Sequence, residues 1–91
     1  MAARDIGTTT LAGGASTDWY IHGWSDNDAV AYSIVVVPLG EPPSFLGHAT
    51  LTQGEFFRHV DGTYAQQVTI QNDMPNDLCW VHLIAKVDTL V

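Results

Sequence analysis

Histidine and cysteine side chains are the first candidates for chemistry in this chain, because they ligate metals and act as bases or nucleophiles. The chain has one cysteine, Cys79, and four histidines, His22, His48, His59 and His82. None of the intervals between them matches a zinc-ligand pattern, in which at least two ligands stand close together. The sequence therefore predicts no metal ligands, although histidines on neighbouring strands could still converge. A small metal-dependent enzyme is the least favoured function.

Nucleophilic catalysis requires a nucleophile and a base within hydrogen-bonding distance of each other. Cys79 falls on the uniformly apolar face of its predicted strand, so we expect a buried thiol instead of an activated one. His82 points to the opposite face of that strand, so Cys79 and His82 are poorly placed as a nucleophile and its base. Ser25 and His22 are a second candidate pair of nucleophile and base. Neither pair belongs to a recognisable catalytic motif. We predict a protein that is not an enzyme and that needs no cofactor.

Aromatic and acidic residues are concentrated between positions 18 and 28, where they could form a carbohydrate-binding site. Indole rings present an apolar face on which sugar rings stack, and carboxylate or amide groups bond the sugar hydroxyls. The candidate ligand-binding residues are Asp18, Trp19, Tyr20, Trp24, Asp26, Asn27 and Asp28. The carboxylates could also hold calcium, which takes about six to eight oxygen ligands, although a complete EF-hand loop is absent. Alternatively, the tryptophans pack in the core and the acidic residues only shape a turn.

Two predicted strands are apolar on both faces, which indicates that they are covered on both sides. They are residues 29–37 and residues 78–87, and the face of the latter that carries Cys79 is the predicted core side. The opposite face of the last strand carries the predicted interface residues Leu78, Trp80, His82 and Ile84. Large apolar side chains on a solvated face would form a patch of the kind that marks contact with another molecule. An N-terminal arm of the same chain is the alternative cover.

The elements that must position these residues are short strands. Alternation of apolar residues between turn signals predicts strands at 18–24, 29–37, 45–51, 55–60, 63–72 and 78–87. No window shows a helical period with caps, which excludes a parallel sheet with crossover helices. The spacing predicts an all-β fold, a small antiparallel β-sandwich of about six to eight strands with jelly-roll or Ig-like Greek-key connectivity.

Local signals within these strands specify a turn and a bulge. The pair Asp61-Gly62 predicts a hairpin with a two-residue type I′ turn, in which both residues adopt positive φ. Gly23 predicts a bulge or a close approach of the backbone. Strict alternation along the first predicted strand would place Trp24 on the same face as Tyr20.

The low charge content of this acidic chain argues for a protein partner. Only 14% of the residues are charged, against about 25% in an average soluble domain, while 46% are hydrophobic. Charge normally protects small β-proteins from edge-to-edge pairing, so a chain that lacks it is expected to bury part of its surface against another molecule. The net charge of −7 repels nucleic-acid phosphate and anionic membranes, and we predict neither as a partner.

The chain length of 91 residues predicts one domain. We predict a flexible N-terminal arm or an edge strand at 1–17 and a single β-sandwich domain at 18–91. The start of the chain lacks the apolar run of a signal peptide, so we expect cytoplasmic synthesis, with a virion or lysis-released component as options. The predicted function is a non-catalytic module that self-associates or docks on a larger β-rich assembly. The alternative is a lectin-like, carbohydrate-binding module.

Overall fold

The protein is all-β. A computed structural model describes residues 2–39 and 49–90, and no helix occurs among these residues. The six strands are β1 (Ala2–Leu11), β2 (Ser16–Trp24), β3 (Asp28–Pro38), β4 (Ala49–Arg58), β5 (Tyr64–Asn72) and β6 (Cys79–Thr89). The four strand pairings among the described residues are antiparallel, which confirms the predicted fold class of an antiparallel all-β protein.

The strands form two three-stranded sheets. Sheet A has the order β1-β6-β3, and sheet B has the order β2-β5-β4. Strands β4 and β5 are consecutive in sequence and adjacent in sheet B, whereas every other consecutive pair of these strands is divided between the two sheets. Within the described part of the chain, β6 and β5 are therefore the central strands and the remaining four strands are edges.

The hydrophobic core combines residues of both sheets, and the central strand β6 contributes most to it. Cys79, Val81, Leu83 and Ala85 alternate along β6 and are fully buried, as the sequence predicts for this face. Val68 on the central strand of sheet B is equally buried and belongs to the same cluster. Full burial of an aliphatic side chain of this size stabilises the fold by about 1.5–3 kcal/mol. The alternating pattern of β6 is thus a direct consequence of packing one face against the core.

The hairpin between β4 and β5 has a longer turn than the sequence predicts. Arg58 pairs with Tyr64, and the amide of Gly62 donates to the carbonyl of His59 at 3.0 Å. Gly62 has a φ of +88°, but no described residue other than glycine has positive φ, so Asp61 does not adopt the type I′ conformation. The arrangement is a three-residue loop that ends in a left-handed glycine. The predicted hairpin is confirmed, and the predicted two-residue turn is wrong.

A second correction concerns the direction of Trp24. Gly23 has a φ of +100°, and the β2–β5 register shifts between His22 and Trp24, which confirms the predicted bulge. The extra residue turns Trp24 into the core, where it is only 3% exposed, while Tyr20 stays on the outer face. Strict alternation fails because a bulge adds one residue to one strand without adding one to its partner.

Strand β4 replaces two of the predicted strands. The segments predicted at 45–51 and 55–60 are represented by the single strand Ala49–Arg58, and residues 45–48 lie outside the described part of the chain. A register shift between Gln53 and Phe56 interrupts the pairing of this strand with β5. The bulge, and not a turn, causes the break in hydrophobic alternation that the sequence shows near Gly54.

A buried asparagine ties the ends of three segments together. The Asn72 amide nitrogen donates to the carbonyls of Leu11 at 3.1 Å, Ala12 at 3.1 Å and Asp77 at 2.8 Å. Its side-chain oxygen accepts a bond from the amide of Met74 at 2.9 Å. Asn72 has no exposed surface, and buried polar groups need such partners because water cannot reach them. This side chain therefore holds the end of β1 against the loop that leads into β6.

Candidate functional site

The register between β3 and β6 builds one continuous surface on the outer side of sheet A. The two strands pair over eleven consecutive residues without a shift. Val37 lies opposite Trp80, and Val35 lies opposite His82. Because side chains that oppose each other across antiparallel strands share a face, β3 adds its valines to the predicted interface residues of β6.

The outer side of sheet A is apolar and open. Leu39 and Leu78 extend the same register, since the Leu39 amide donates to the Leu78 carbonyl at 2.9 Å. We call the following residues the apolar face: Val35, Val37, Leu39, Leu78, Trp80 and Ile84. Four of these residues are 40–48% exposed, which leaves nearly half of each side chain in contact with solvent: Val35, Val37, Leu39 and Leu78. The prediction that β3 is covered on both sides is wrong for the single chain.

Polar groups border the apolar face on the side of β1. The His82 Nε2 atom lies 2.8 Å from the Asp5 carboxylate, and the rings of His82 and Trp80 are 5.8 Å apart. On β1, Thr8 and Thr10 lie opposite His82 and Trp80 and continue this polar border. The predicted interface residues therefore share one face, with His82 at its edge. Sequence reasoning did not include Val35 and Val37 in the site, although the apolar outer face of 29–37 was the signal for them.

The predicted carbohydrate-binding residues do not form one site, and the two tryptophans among them face the core. The Trp24 indole nitrogen donates to the Tyr32 hydroxyl at 3.1 Å across the two sheets. The Arg4 guanidinium lies 4.7 Å from the centre of the Trp24 ring, which is a cation–π contact. Trp19 is half-buried and packs against the core cluster. Neither indole is an open platform for a sugar ring.

The acidic residues of that predicted site are divided between a turn and a sheet face. Asp28 accepts bonds from the Ser25 amide at 2.9 Å and the Thr89 hydroxyl at 2.7 Å, and these bonds lower the pKa of the Asp28 carboxyl. Asp26 and Asn27 are exposed in the same turn. Asp18 lies elsewhere, on the outer face of sheet B, where it accepts a bond from the Thr69 hydroxyl at 2.7 Å.

The outer face of sheet B presents one exposed aromatic ring among polar groups. Tyr20 is 62% exposed and lies opposite Gln67 on β5. The neighbouring pair on the same face is Asp18 and Thr69. Tyr20 and Asp18 are therefore the members of the predicted carbohydrate site that share an accessible surface.

Two adjoining clefts open at the bulge in β2. They have volumes of about 460 and 490 Å³, and both are lined by Gly23 and Trp24. Arg4 lines one cleft and Arg58 lines the other, so two of the three basic residues of the chain stand at this end. Asp28 lines the cleft that contains Arg4, and Asp26 lines the cleft that contains Arg58. Each cleft therefore carries one carboxylate and one guanidinium group.

Two histidines meet at the β4–β5 turn, which sequence reasoning did not predict. The rings of His22 and His59 stack with centroids 5.2 Å apart. Their Nδ1 atoms lie 3.4 and 3.2 Å from the Asp61 carboxylate. The hydroxyl and amide of Thr63 donate to this carboxylate, and together with His59 they lower the pKa of Asp61 to about 2. His48 lies outside the described residues.

The remaining candidates for chemistry are separated from one another. Cys79 has no exposed surface, and burial raises the pKa of its thiol, which confirms the predicted buried cysteine. In residues 2–39 and 49–90, no three His, Cys, Asp or Glu side chains are placed so that they could hold a metal ion. The same residues contain no helix that is long and apolar enough to cross a membrane.

The apolar face is thus the surface on which the structure gathers the predicted interface residues, and the other candidate residues are distributed over the turns, the core and sheet B. Comparison of the chain with family models, with curated proteins and with solved structures gives no match.

Proposed function

We propose that this protein is a non-catalytic β-sandwich module that acts by self-association, and that the apolar face is its contact surface. The single observation that carries the proposal is the exposure of the apolar face in a chain of which only 14% is charged. Exposed apolar patches rimmed by polar residues typically mark protein contacts. The polar border of the apolar face, with the His82–Asp5 pair, has this arrangement.

The energetics support an assembly that depends on concentration. Burying the exposed half of a large apolar side chain contributes about 1 kcal/mol, so the four residues of the apolar face that are about half exposed contribute about 8 kcal/mol over two copies. Loss of translational and rotational freedom on association costs about 4–15 kcal/mol. The two terms are similar in size, and we therefore expect a reversible oligomer whose mass changes with protein concentration.

The strand order supports the finer description of the module as a jelly-roll-like sandwich. β1 pairs with β6 and β2 pairs with β5, so the first strand meets the last and the second meets the one before it. This nested pairing is the pattern of a long hairpin rolled into two sheets, as in jelly rolls. An Ig-like domain has several consecutive strands adjacent in a sheet, whereas among the described strands only β4 and β5 are both consecutive and adjacent.

Substitution of Trp80 by aspartate tests the proposed contact surface. Placing a carboxylate in the middle of the apolar face is expected to weaken self-association by about 2–4 kcal/mol, or roughly 30- to 1,000-fold. Size-exclusion chromatography with light scattering at two protein concentrations measures this change as a decrease in the mass of the oligomer. Tyr20→Asp is the matched control, because it places the same charge on the outer face of sheet B.

A folded Trp80→Asp variant with the oligomeric mass of the wild type would contradict the proposal. So would a wild-type protein that is monomeric at all concentrations. If Trp80→Asp is insoluble, Val37→Lys carries the same test, because Val37 is 40% exposed and can be replaced without emptying the core.

Carbohydrate binding is the second candidate function, and the exposure of Tyr20 favours it. An accessible ring at 62% exposure beside the Asp18–Thr69 pair offers a stacking surface next to hydrogen-bonding groups. The site would lie on sheet B and would leave the apolar face free. Aromatic stacking and hydroxyl recognition together are the minimum that a sugar-binding surface requires.

A glycan array with wild-type protein and with Tyr20→Ala tests this second function. We expect binding to at least one glycan class and at least a tenfold loss of that binding in Tyr20→Ala, with and without calcium. Trp80→Asp serves as the control that should bind glycans as the wild type does. Binding that is absent, or that is the same in Tyr20→Ala, would contradict the sugar-binding role of this surface.

A further inference from the structure

Strand β3 differs from the other edge strands of the molecule in two ways. It pairs with β6 without any register shift, whereas β1, β2 and β4 each contain one. Its residues 29–37 also include no charged side chain. Bulges and charges are the usual means by which edge strands avoid pairing with other chains. In the described part of the chain, β3 is therefore the edge that is suited to accept another strand.

The backbone groups that face outward from β3 can be identified from its ladder. Leu90 donates to the Asn27 carbonyl at 2.8 Å, and Leu39 donates to the Leu78 carbonyl at 2.9 Å, so the ladder is hydrogen-bonded at odd-numbered residues at both ends. Hydrogen-bonded and non-hydrogen-bonded pairs alternate in antiparallel sheets. The even-numbered residues thus direct their amides and carbonyls away from β6: Val30, Tyr32, Ile34 and Val36. Among the described residues, no strand pairs with this edge.

We propose that β3 pairs antiparallel with β3 of a second copy across a two-fold axis at Ser33, so that two copies of sheet A become one six-stranded sheet. This inference rests on the proposed self-association and adds to it a second contact, at the sheet edge, beside the contact made by the apolar face. The outward groups match in this register, because Val30 opposes Val36 of the second copy and Tyr32 opposes Ile34 of the second copy. The two-fold axis repeats each of these pairs, so there are four pairs. Each pair exchanges two hydrogen bonds, which gives about eight bonds between the two strands.

Side-chain size and charge favour a second copy as the partner of this edge. On the outer face, Ala31 opposes Val35 and Ala29 opposes Val37 of the other copy, so a small side chain meets a larger one at each pair. The copies each carry a net charge of −7, and contact along the neutral residues 29–37 keeps their carboxylates apart. The pairing also joins the two apolar faces on one side of the combined sheet, where they form a single larger surface.

Ser33→Cys tests the register directly. Across the two-fold axis, residue 33 forms a non-hydrogen-bonded pair with itself, with a Cα separation of about 4.5 Å, which lies within the range that a disulfide spans. Oxidised glutathione accepts the two electrons when the two thiols form the bond. The native Cys79 is fully buried and does not compete. We expect most of the Ser33→Cys protein to form a covalent dimer on a non-reducing gel.

Ala31→Cys is the matched control, because it lies on the same strand and the same face. In the proposed register, its counterpart in the second copy is about four residues away along the strand, or roughly 13 Å, which a disulfide cannot span. We expect at least tenfold slower cross-linking than in Ser33→Cys. Equal cross-linking of the two variants would indicate random collision and would overturn the proposal.

The mass of the wild-type protein separates this proposal from the proposed function. If the wild type is an oligomer and Ser33→Cys does not cross-link, edge pairing is wrong and self-association through the apolar face stands. If the wild type is a monomer, both fail. Amide hydrogen exchange gives a test that needs no substitution. Exchange at Val30, Tyr32, Ile34 and Val36 should slow at least tenfold on oligomerisation, and protection of these amides in a monomer would overturn the pairing.

Discussion

Replacing Asn72 by alanine is expected to lower the free energy of unfolding by about 3–5 kcal/mol, because several backbone groups lose their partner at once. The substitution leaves the carbonyls of Leu11 and Asp77 and the amide of Met74 without the bonds that Asn72 supplies. Each unsatisfied buried group costs about 1–3 kcal/mol. Since small domains are stable by only about 5–15 kcal/mol, this loss is a large part of the total.

Thermal and urea unfolding measure the effect of Asn72→Ala, and two further variants control it. A decrease in Tm on the order of 15–30 °C is expected for a domain of this size. Asn76→Ala changes an exposed asparagine of the neighbouring turn and should alter stability by less than about 0.5 kcal/mol. Asn72→Asp keeps the volume but replaces the donating amide by a carboxylate that faces carbonyl oxygens, so it should be at least as destabilising. Wild-type stability of Asn72→Asp would show that the hydrogen bonds are unimportant.

Replacing Trp24 by phenylalanine is expected to lower the free energy of unfolding by about 2–4 kcal/mol, because the change removes buried ring volume and a buried donor together. The indole of Trp24 is 3% exposed and donates to the Tyr32 hydroxyl on the other sheet. It also lies beneath the Arg4 guanidinium. The substitution therefore weakens packing, the bond between the sheets and the cation–π contact.

A double-mutant cycle with Tyr32→Phe separates the hydrogen bond from the packing around Trp24. Tyr32→Phe alone should cost about 1–3 kcal/mol, since it leaves the buried indole nitrogen unpaired. The double variant should be more stable than the sum of the single effects predicts, by about 1 kcal/mol. If Trp24→Phe is as stable as the wild type but no longer binds glycans, the packing role of Trp24 is contradicted. That result would support the ligand-binding role that the sequence predicted as an alternative.

The amino-acid sequence by itself determined the features of this protein that depend on local patterns. Period-two alternation predicted the all-β class and the buried face of β6 with Cys79, because successive side chains of a strand point to opposite sides. Asp61-Gly62 predicted the position of a hairpin, and Gly23 predicted a bulge, because both depend on the conformational freedom of glycine at one position. The low charge of the chain and the apolar side chains at 78–84 also predict an interface, since both are properties of composition and of a single strand, and the mass of the protein in solution tests that prediction.

Tertiary structure alone decided which distant residues meet. The bulge at Gly23 reversed the direction of Trp24, and the pairing of β3 with β6 brought Val35 and Val37 beside Trp80. The bonds of Asn72 to the end of β1 likewise join residues about sixty positions apart. Strand register and bulge geometry set these contacts, and they depend on the partner strand and its packing as much as on the segment itself. Local alternation therefore predicts the faces of single strands, whereas the composition of the site follows from how the strands pair.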